Sequence, residues 1–570
     1  MEKVYGIDLG TTYSVIATLD DNGMPEVIAN QEEGSDLLAS AVYFQEGGDP
    51  VVGEVAKNQK DIEPDRVVEF VKRYIGKSDA PTYEFDGQKY DPITISSLIL
   101  KRMVAYANAQ GHDVKNVVIT CPAYFGHDEK AATKQAGIIA GLNVLNIVHE
   151  PTAAAINYCA REYKENRKIM VYDLGGGTFD ITLFDFAVDE NGKTAIDVIK
   201  SDGNDRLGGI DWDARMFDYM CEKYAAENGT EITDMDSELE STIRAQVEQA
   251  KKDLSTLEKK SYTIKYDGDR TRIELTRDEF EARTQDLVQQ TLDFVHKLLS
   301  DVDFTPDDVD LILLVGGSTF MPMIRNAVEA LFPGKVRVEQ PNLAVAKGAA
   351  LSAALEWNEK IAELKKKVTQ GEEISSEIAN EIGLTPEEIT SGTLGELIIE
   401  DVGAGAISLP NDKLSRSLGP AVFNSDDQYM IDNLLFVGDP NPSEAEAVYG
   451  TRQENAPEIV VNVYENISTD RENKYVTPCF DENDTPQYTD PALKVKQIGE
   501  VHLQLPPNTR KGAPIRVVFR SSTVGLEVTA INVETGESAQ TEIKSDVIYD
   551  TETLNEEKKR FENLQTSGQI

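Results

Sequence analysis

Two stretches of the chain combine residue types that handle phosphate and metal. One runs Val4-Tyr5-Gly6-Ile7-Asp8-Leu9-Gly10-Thr11-Thr12, the other Val171-Tyr172-Asp173-Leu174-Gly175-Gly176-Gly177-Thr178-Phe179-Asp180. Each is a short apolar, strand-like run that ends in an acid and turns through glycine and threonine. Glycine lets the backbone approach a ligand, and neighbouring N–H groups in such a turn can point together at an anion. An aspartate at the end of each run suits a hydrated divalent cation, which takes oxygen ligands. Two such turns would clamp one phosphate chain from opposite sides, the outline of a two-lobed, nucleotide-hydrolysing cleft. A third turn, Leu313-Leu314-Val315-Gly316-Gly317-Ser318-Thr319, and the glycine pair in Leu207-Gly208-Gly209-Ile210-Asp211 extend the pattern. The GxxxxGK[ST] phosphate loop does not occur, so the P-loop solution is excluded on pattern.

These turns need elements to hold them. Residues 1 to about 357 alternate strand-like with helical stretches, as an α/β domain should. Strands are expected at Val117–Thr120, Ile169–Tyr172 and Leu311–Val315, and helices over 128–141, 240–259 and 278–300. The composition changes over 358–395, read as a helical insert and linker. Ile361–Lys367 looks helical there, and Thr385-Pro386-Glu387-Glu388 is a capping box with proline at the first helical position. From 396 to 545 the pattern is β, with Ile459, Val461 and Val463, and again Val501, Leu503 and Leu505, alternating with polar residues. Residues 546–570 form a short helical tail. In it Leu554–Leu564 predicts a helix of about three turns, followed by a polar end expected to fray.

Composition narrows the function classes. A chain of 570 residues with 40% hydrophobic content holds several cores. Its formal net charge of −44 argues against nucleic acid and anionic membrane as partners. The four cysteines, Cys121, Cys159, Cys221 and Cys479, form no CxxC pair, which fits a reducing compartment rather than a disulfide framework or zinc site. The five histidines make no HExxH or paired spacing. Met1-Glu2-Lys3 leads straight into a strand without a signal peptide, and the apolar run Leu311–Val315 is too short to span a bilayer. A soluble, cytoplasmic protein is expected.

The segments carrying the turns resemble the ATPase domain of the DnaK-type chaperones, the seventy-kilodalton heat-shock family. Asp91-Pro92-Ile93-Thr94-Ile95-Ser96, Cys121-Pro122-Ala123-Tyr124-Phe125, Glu150-Pro151-Thr152-Ala153-Ala154-Ala155, Glu248–Ser255 and Val345-Ala346-Lys347-Gly348-Ala349-Ala350 resemble family signatures in the right order. The resemblance covers essentially all of 1–356. It implies an actin-like, two-lobed α/β ATPase domain over 1–357, followed by a β-sandwich-type substrate domain and a short helical C-terminus.

What the resemblance implies for the site can be carried over residue by residue. Asp8, Asp173 and Asp180 would surround Mg²⁺ largely through its waters. Gly10, Thr11, Thr12 and Tyr13, with Gly175, Gly176, Gly177 and Thr178, would bind the β- and γ-phosphates of ATP or ADP. Lys72 would orient the attacking water, with Glu150 and Thr178 helping to hold water and metal. Gly208 and Gly209 belong to the same phosphate-side set. Glu248, Lys251 and Ser255, spaced i, i+3 and i+7 on one helix face, would touch ribose and adenine. Gly316, Gly317 and Ser318 would close the pocket. Pro122 and Lys130 would form an interdomain switch, although the family has Arg where this chain has Lys130. Phe320 stands where the family usually has an Arg stacked on adenine, and Asn342 where it often has Asp.

The second half resembles the family less evenly. Leu394–Val402 is similar to its interdomain linker, and Ile498–Pro507 and Gly525–Ala530 to the closing strands of its β domain. Residues 403–457 match poorly, so no peptide-contact residue is carried over, and the long helical lid is expected to be nearly absent. The function implied is an ATP-dependent chaperone whose β domain binds unfolded or extended polypeptide, with a J-domain co-chaperone and a nucleotide-exchange factor as further partners. A nucleotide-dependent scaffold and an actin-fold small-molecule kinase are the alternatives.

Overall fold

The computed structural model describes residues 3–370, 407 and 412–568, apart from 163–164, 191–192, 339, 470, 473, 481–485, 489–492, 494, 523–524, 544–547 and 563. The sequence features over 371–395 and the linker-like Leu394–Val402 lie outside the described residues.

Two sheets of one design build the N-terminal region. The first contains β1 (Val4–Asp8), β2 (Tyr13–Leu19), β3 (Pro25–Val27), β4 (Asn116–Cys121) and β5 (Asn143–His149), in the order β5-β4-β1-β2-β3. The second contains β6 (Arg167–Leu174), β7 (Phe179–Val188), β8 (Thr194–Asn204), β9 (Leu311–Val315) and β10 (Val336–Val338), in the order β8-β7-β6-β9-β10. In both, the first three strands are antiparallel neighbours and the last two join in parallel. The repeated phrases occupy equivalent places, each bending from the first strand of its sheet into the second. The parallel strands read as continuous apolar runs because both faces are covered; Leu311–Val315 is buried throughout.

Helices clothe the sheets. α1 (Pro92–Ala109) and α2 (His127–Ile139) share a core with the first sheet. α3 (Glu150–Glu162) follows β5 directly. α4 (Gly209–Asn228), α5 (Ser237–Thr256) and α6 (Arg277–Asp301) share a core with the second sheet. The starts of α5 and α6 are set by side-chain caps: the Leu239 N–H donates to Asp236 at 3.0 Å, and the Glu279 N–H to Thr276 at 3.3 Å. At α1 the cap is reciprocal, Thr94 N–H to Asp91 at 2.9 Å and Asp91 N–H to Thr94 at 2.8 Å.

α7 (Ala344–Gln370) joins the lobes, lying against β1 and α3 so closely that only glycine fits. A Cβ on Gly6 would fall 2.0 Å from the Ala350 nitrogen, and one on Gly348 would fall 1.7 Å from the Ala153 carbonyl. The helix runs unbroken through the boundary expected at 357/358. Trp357, Ile361 and Leu364 are all buried in one core, so apolar periodicity carries it onward.

The described residues within 412–543 form a β unit built on two larger antiparallel sheets, beside two short two-stranded pairs. The strands of the larger sheets are β11 (Ser417–Phe423), β12 (Tyr429–Asp432), β13 (Ser443–Gly450), β14 (Glu458–Asn466), β15 (Tyr475–Val476), β16 (Lys496–Gln504), β17 (Pro514–Ser522), β18 (Gly525–Asn532) and β19 (Ser538–Ile543). They pair as β15-β12-β11-β14-β16 and β13-β17-β18-β19. One core joins the two sheets, with Val461, Val463, Val501 and Leu503 meeting Val517, Phe519 and Val528. The alternation read in the sequence is this inward face.

The β unit rests on α2. Ser415 donates to the Phe125 carbonyl at 2.7 Å, and Lys496 is ion-paired with Asp128. Burial pushes the Glu465 carboxyl up to about 7, against the pull of Arg416 and with the push of Glu129 and Asp128. The switch candidate Lys130 is buried within α2, on this side of the molecule.

The final helix, α8 (Thr551–Glu562), packs on α2. The polar end expected to fray is seated on the first lobe: Ser567 donates to Pro50 O at 3.1 Å and accepts from Val52 N at 2.8 Å. Among the described residues no helix is long and apolar enough to cross a membrane, and Cys121, Cys159 and Cys221 are free and buried.

Candidate functional site

The two glycine-threonine turns meet face to face. A Cβ on Gly176 would lie 1.9 Å from Thr12 Oγ1, and one on Gly177 would lie 2.6 Å from Thr11 Cγ2. Gly10 is also obligatory, since its Cβ would fall 1.9 Å from the Tyr13 carbonyl. Thr12 Oγ1 is buried and makes no hydrogen bond in the structure. The glycine pair closes on the second turn, with Gly209 N–H donating to Gly175 O at 3.0 Å and Ile210 N–H to Gly176 O at 2.8 Å. Ser318 of the third turn donates to the same Gly175 carbonyl at 2.8 Å. Gly316, at φ 84°, occupies the left-handed region, and a Cβ there would strike Leu174 O at 2.3 Å. Gly317 opens the short 3₁₀ turn Gly317–Phe320. All four glycine segments thus converge on one place.

Carboxylates line that place. Asp8 ends β1, and Asp173 and Asp180 face each other across the β6–β7 register. Thr120 donates to Asp8 at 3.1 Å, and the Ala123 N–H to Asp180 Oδ1 at 3.0 Å, whereas Asp180 Oδ2 is buried without a partner. Burial, reinforced by the Glu150 charge, pushes Asp8 up to about 7 and raises Asp173 and Asp180 well above the carboxylate range. Lys72, on the 3₁₀ turn Val71–Tyr74, is buried and ion-paired with Glu150, the first residue of α3. Burial acts to lower the Lys72 ammonium, but Glu150 and Asp8 outweigh it and the net direction is upward. Four acids therefore share one buried ammonium, and like-charge repulsion leaves room for more positive charge. Thr178 is buried beside them in the second turn. Among the described residues no group of three His, Cys, Asp or Glu side chains is arranged to hold a metal ion.

The α5 face forms the other wall. Glu248 accepts from Tyr13 OH at 3.1 Å, pairs with Lys252 at 2.7 Å, and makes an ion pair with Lys57. Burial would raise its carboxyl, but Lys57 and Lys252 together hold it down at about 2. Tyr13 and Lys57 belong to the first lobe, so this cluster spans the cleft. Lys251 donates to Gly209 O at 2.9 Å and pairs with Asp213 at 2.8 Å. Ser255 donates to the Lys251 carbonyl at 3.0 Å within its own helix. Phe320 is 47% exposed at the third turn, and Pro341 next to Asn342 accepts from the Gly316 N–H at 2.8 Å.

Sequence reasoning missed several supports. Arg73 donates twice to Gly177 O, at 3.1 and 2.8 Å, and so fixes the second turn from the first lobe. Thr120, Lys57, Lys252 and Asp213 were likewise absent from the expected set. Their signal is a partner that lies far away in the chain: Asp8 for Thr120, Glu248 for Lys57, Lys251 for Asp213 and, besides the nearby Glu248, the Tyr13 hydroxyl for Lys252 at 3.2 Å.

Duplicated sheets joined by one helix, with glycine turns and acids meeting between them, define an actin-like two-lobed class. Residues 4–369 match the Hsp70 protein family, and the chain belongs to it. It is similar to the chaperone protein DnaK of Thermotoga neapolitana, 41% identical over 364 residues, covering 62% of this chain and 59% of that relative. The Thermotoga maritima protein of the same name gives the same figures, and that of Thermosipho africanus is 40% identical over 363 residues, again 62% and 59%. The match therefore spans less than two thirds of these relatives' length.

Proposed function

We propose that the cleft binds ATP with Mg²⁺ and hydrolyses it to ADP and phosphate, and that nucleotide state governs how the β unit holds an unfolded or extended polypeptide. The observation that carries this reading is the meeting of the two glycine-threonine turns beside a buried cluster of Asp8, Asp173, Asp180, Glu150 and Lys72. An oxygen-only donor set, raised carboxyl groups and the unpartnered Asp180 Oδ2 fit a hydrated divalent cation. Asp8, Asp173 and Asp180 would hold it through water, where it would offset charge on the phosphates.

The chain's own residues do the rest. The Gly10–Tyr13 and Gly175–Thr178 turns cradle the phosphates from both lobes; the Gly10 and Gly175 N–H groups brace the turns on Ser14 and Thr178 O, the N–H and hydroxyl groups between them face the ligand, and Arg73 keeps the second turn in place. Lys72 holds the attacking water and opposes charge developing on the γ-phosphoryl oxygens as the bond to the leaving ADP oxygen breaks. Glu150 anchors Lys72. Tyr13, Glu248 and Lys57 close the nucleoside side, with Lys251, Ser255 and Ser318 along the same wall.

Membership of the Hsp70 family supports the chaperone reading over the kinase and scaffold alternatives, and the chaperone name of the relatives supports polypeptide clients and co-chaperones. Free buried cysteines support a reducing, cytoplasmic setting. The test is phosphate release from the purified full chain with MgATP and no second substrate. Steady release of free phosphate is expected. Its absence, with transfer to an added small molecule, would establish a kinase instead.

A further inference from the structure

Lys72 has a neighbour that reaches the other lobe. The 3₁₀ turn Val71–Tyr74 is fixed to the first lobe by Val71 and Ile75, both buried in its core. Gly76, at φ 70°, brings the chain out of the turn tight against α2, where a Cβ would fall 2.6 Å from Glu129 Cα. From this footing Lys72 turns to Glu150, whereas Arg73 crosses the cleft. The Arg73 fork donates twice to Gly177 O, at 3.1 and 2.8 Å, and stands 3.4 Å from Asp211 in the first turn of α4. Asp211 also accepts from the Gly208 N–H at 2.8 Å. Gly177 is thereby enclosed: a Cβ there would meet Thr11 Cγ2 at 2.6 Å and Arg73 Nε at 2.9 Å. At the far end of the segment Lys77 pairs with Asp205 of the second lobe at 2.8 Å.

We propose that Arg73 is a positioning residue for hydrolysis, an inference that rests on the ATP-hydrolysing reading of the cleft. By holding the Gly177 peptide it sets the distance between Lys72 on the first lobe and the phosphate turn on the second. Lys72 is then competent only while the lobes are closed. The two residues are adjacent on one short turn anchored in the core, so neither moves far without the other. The γ-phosphate would lie on Gly175–Thr178, and a drift of that turn carries the reacting phosphorus away from Lys72 and its water. A planar fork suits the task, because two bonds to one carbonyl fix direction as well as distance. A lysine would offer one point donor on a flexible stem. The ion pairs to Asp211 and Asp205 are partly exposed and contribute little on their own. The effect of Arg73 is geometric: a misplacement of about 1 Å at the reacting atoms costs roughly a hundredfold in rate.

The test is a kinetic cycle on the full chain. Single-turnover phosphate release from bound MgATP, and ATP affinity by calorimetry, are measured for wild type, Arg73→Met, Arg73→Lys, Lys72→Ala and the double variant Arg73→Met with Lys72→Ala. Arg73→Met should slow release by about tenfold or more, while ATP affinity changes only a few-fold. Arg73→Lys should recover only part of that rate. In the Lys72→Ala background Arg73→Met should cost nothing further, because the group it places is gone. Amide exchange over 175–178 in the ADP complex, which needs no hydrolysis, should be faster in Arg73→Met than in wild type. Full activity in Arg73→Met, a loss confined to affinity, losses that add in the double variant, or unchanged exchange over 175–178 would each overturn the positioning role. A wild-type chain that releases no phosphate would overturn the reading of the cleft, and the positioning role with it.

Discussion

Thr12 and Gly176 touch across the cleft: a single methyl group added at Gly176 would overlap the Thr12 hydroxyl at 1.9 Å. One comes from the β1–β2 turn and the other from the equivalent β6–β7 turn, so the duplicated halves of the fold meet at their duplicated residues. Any side chain at Gly176 must push the turns apart. Gly176→Ala should weaken ADP binding at least tenfold, about 1.4 kcal/mol, by titration calorimetry. Adding Thr12→Ala should recover part of the loss by restoring space.

Lys57 and Glu248 clasp the lobes on the nucleoside side. The Glu248 carboxyl is held at about 2, so its contribution is present above the usual carboxylate range and lost only as pH falls towards 2. At neutral pH the clasp is intact. Lys57→Ala should speed release of a fluorescent nucleotide about tenfold in stopped flow, worth about 1.4 kcal/mol, with little change in overall stability because the pair is partly exposed.

Docking of the β unit should depend on pH through Glu465. Its carboxyl sits at about 7 when buried against Asp128, Glu129, Arg416 and Lys496, and an exposed glutamate returns to about 4.3. The docked state thus holds the proton more tightly. Its stabilising effect is complete below the exposed value and is lost as pH rises through about 7. Hydrogen exchange over 127–139, corrected for intrinsic rate, should be faster at pH 8.5 than at pH 6. Glu465→Gln should flatten that dependence.

Phe320 offers an exposed ring at the third turn. If the ring stacks on the base, Phe320→Ala should cost about 1 kcal/mol of nucleotide affinity, and a tripolyphosphate competitor should bind as before. Equal losses for both ligands would assign Phe320 a structural role instead.

The phosphate side of the site was legible in the sequence because it is local. Asp8-Leu9-Gly10-Thr11-Thr12 and Asp173–Thr178 carry acid, glycine and hydroxyl within a few residues, and the strands that present them are plain apolar runs. Arg73 was not legible, since its target Gly177 lies 104 residues on. The tail's helix was legible, but where its end is seated was not, for the same reason. Leu554–Leu564 is charged and the following end polar, but the Lys101 that holds the Phe561 carbonyl lies 460 residues away. The helical reading of Ile361–Lys367 fits α7, which the buried Trp357, Ile361 and Leu364 carry through the composition change at 357/358 to Gln370.

The central claim is that Lys72, buried against Glu150, serves hydrolysis rather than nucleotide capture. Single-turnover phosphate release from preloaded MgATP, measured on the full chain and on Lys72→Ala, tests it most directly. ATP affinity within a few-fold of wild type and a rate reduced at least a hundredfold, about 2.7 kcal/mol of barrier, is the predicted result. An unchanged rate at saturating ATP would contradict it.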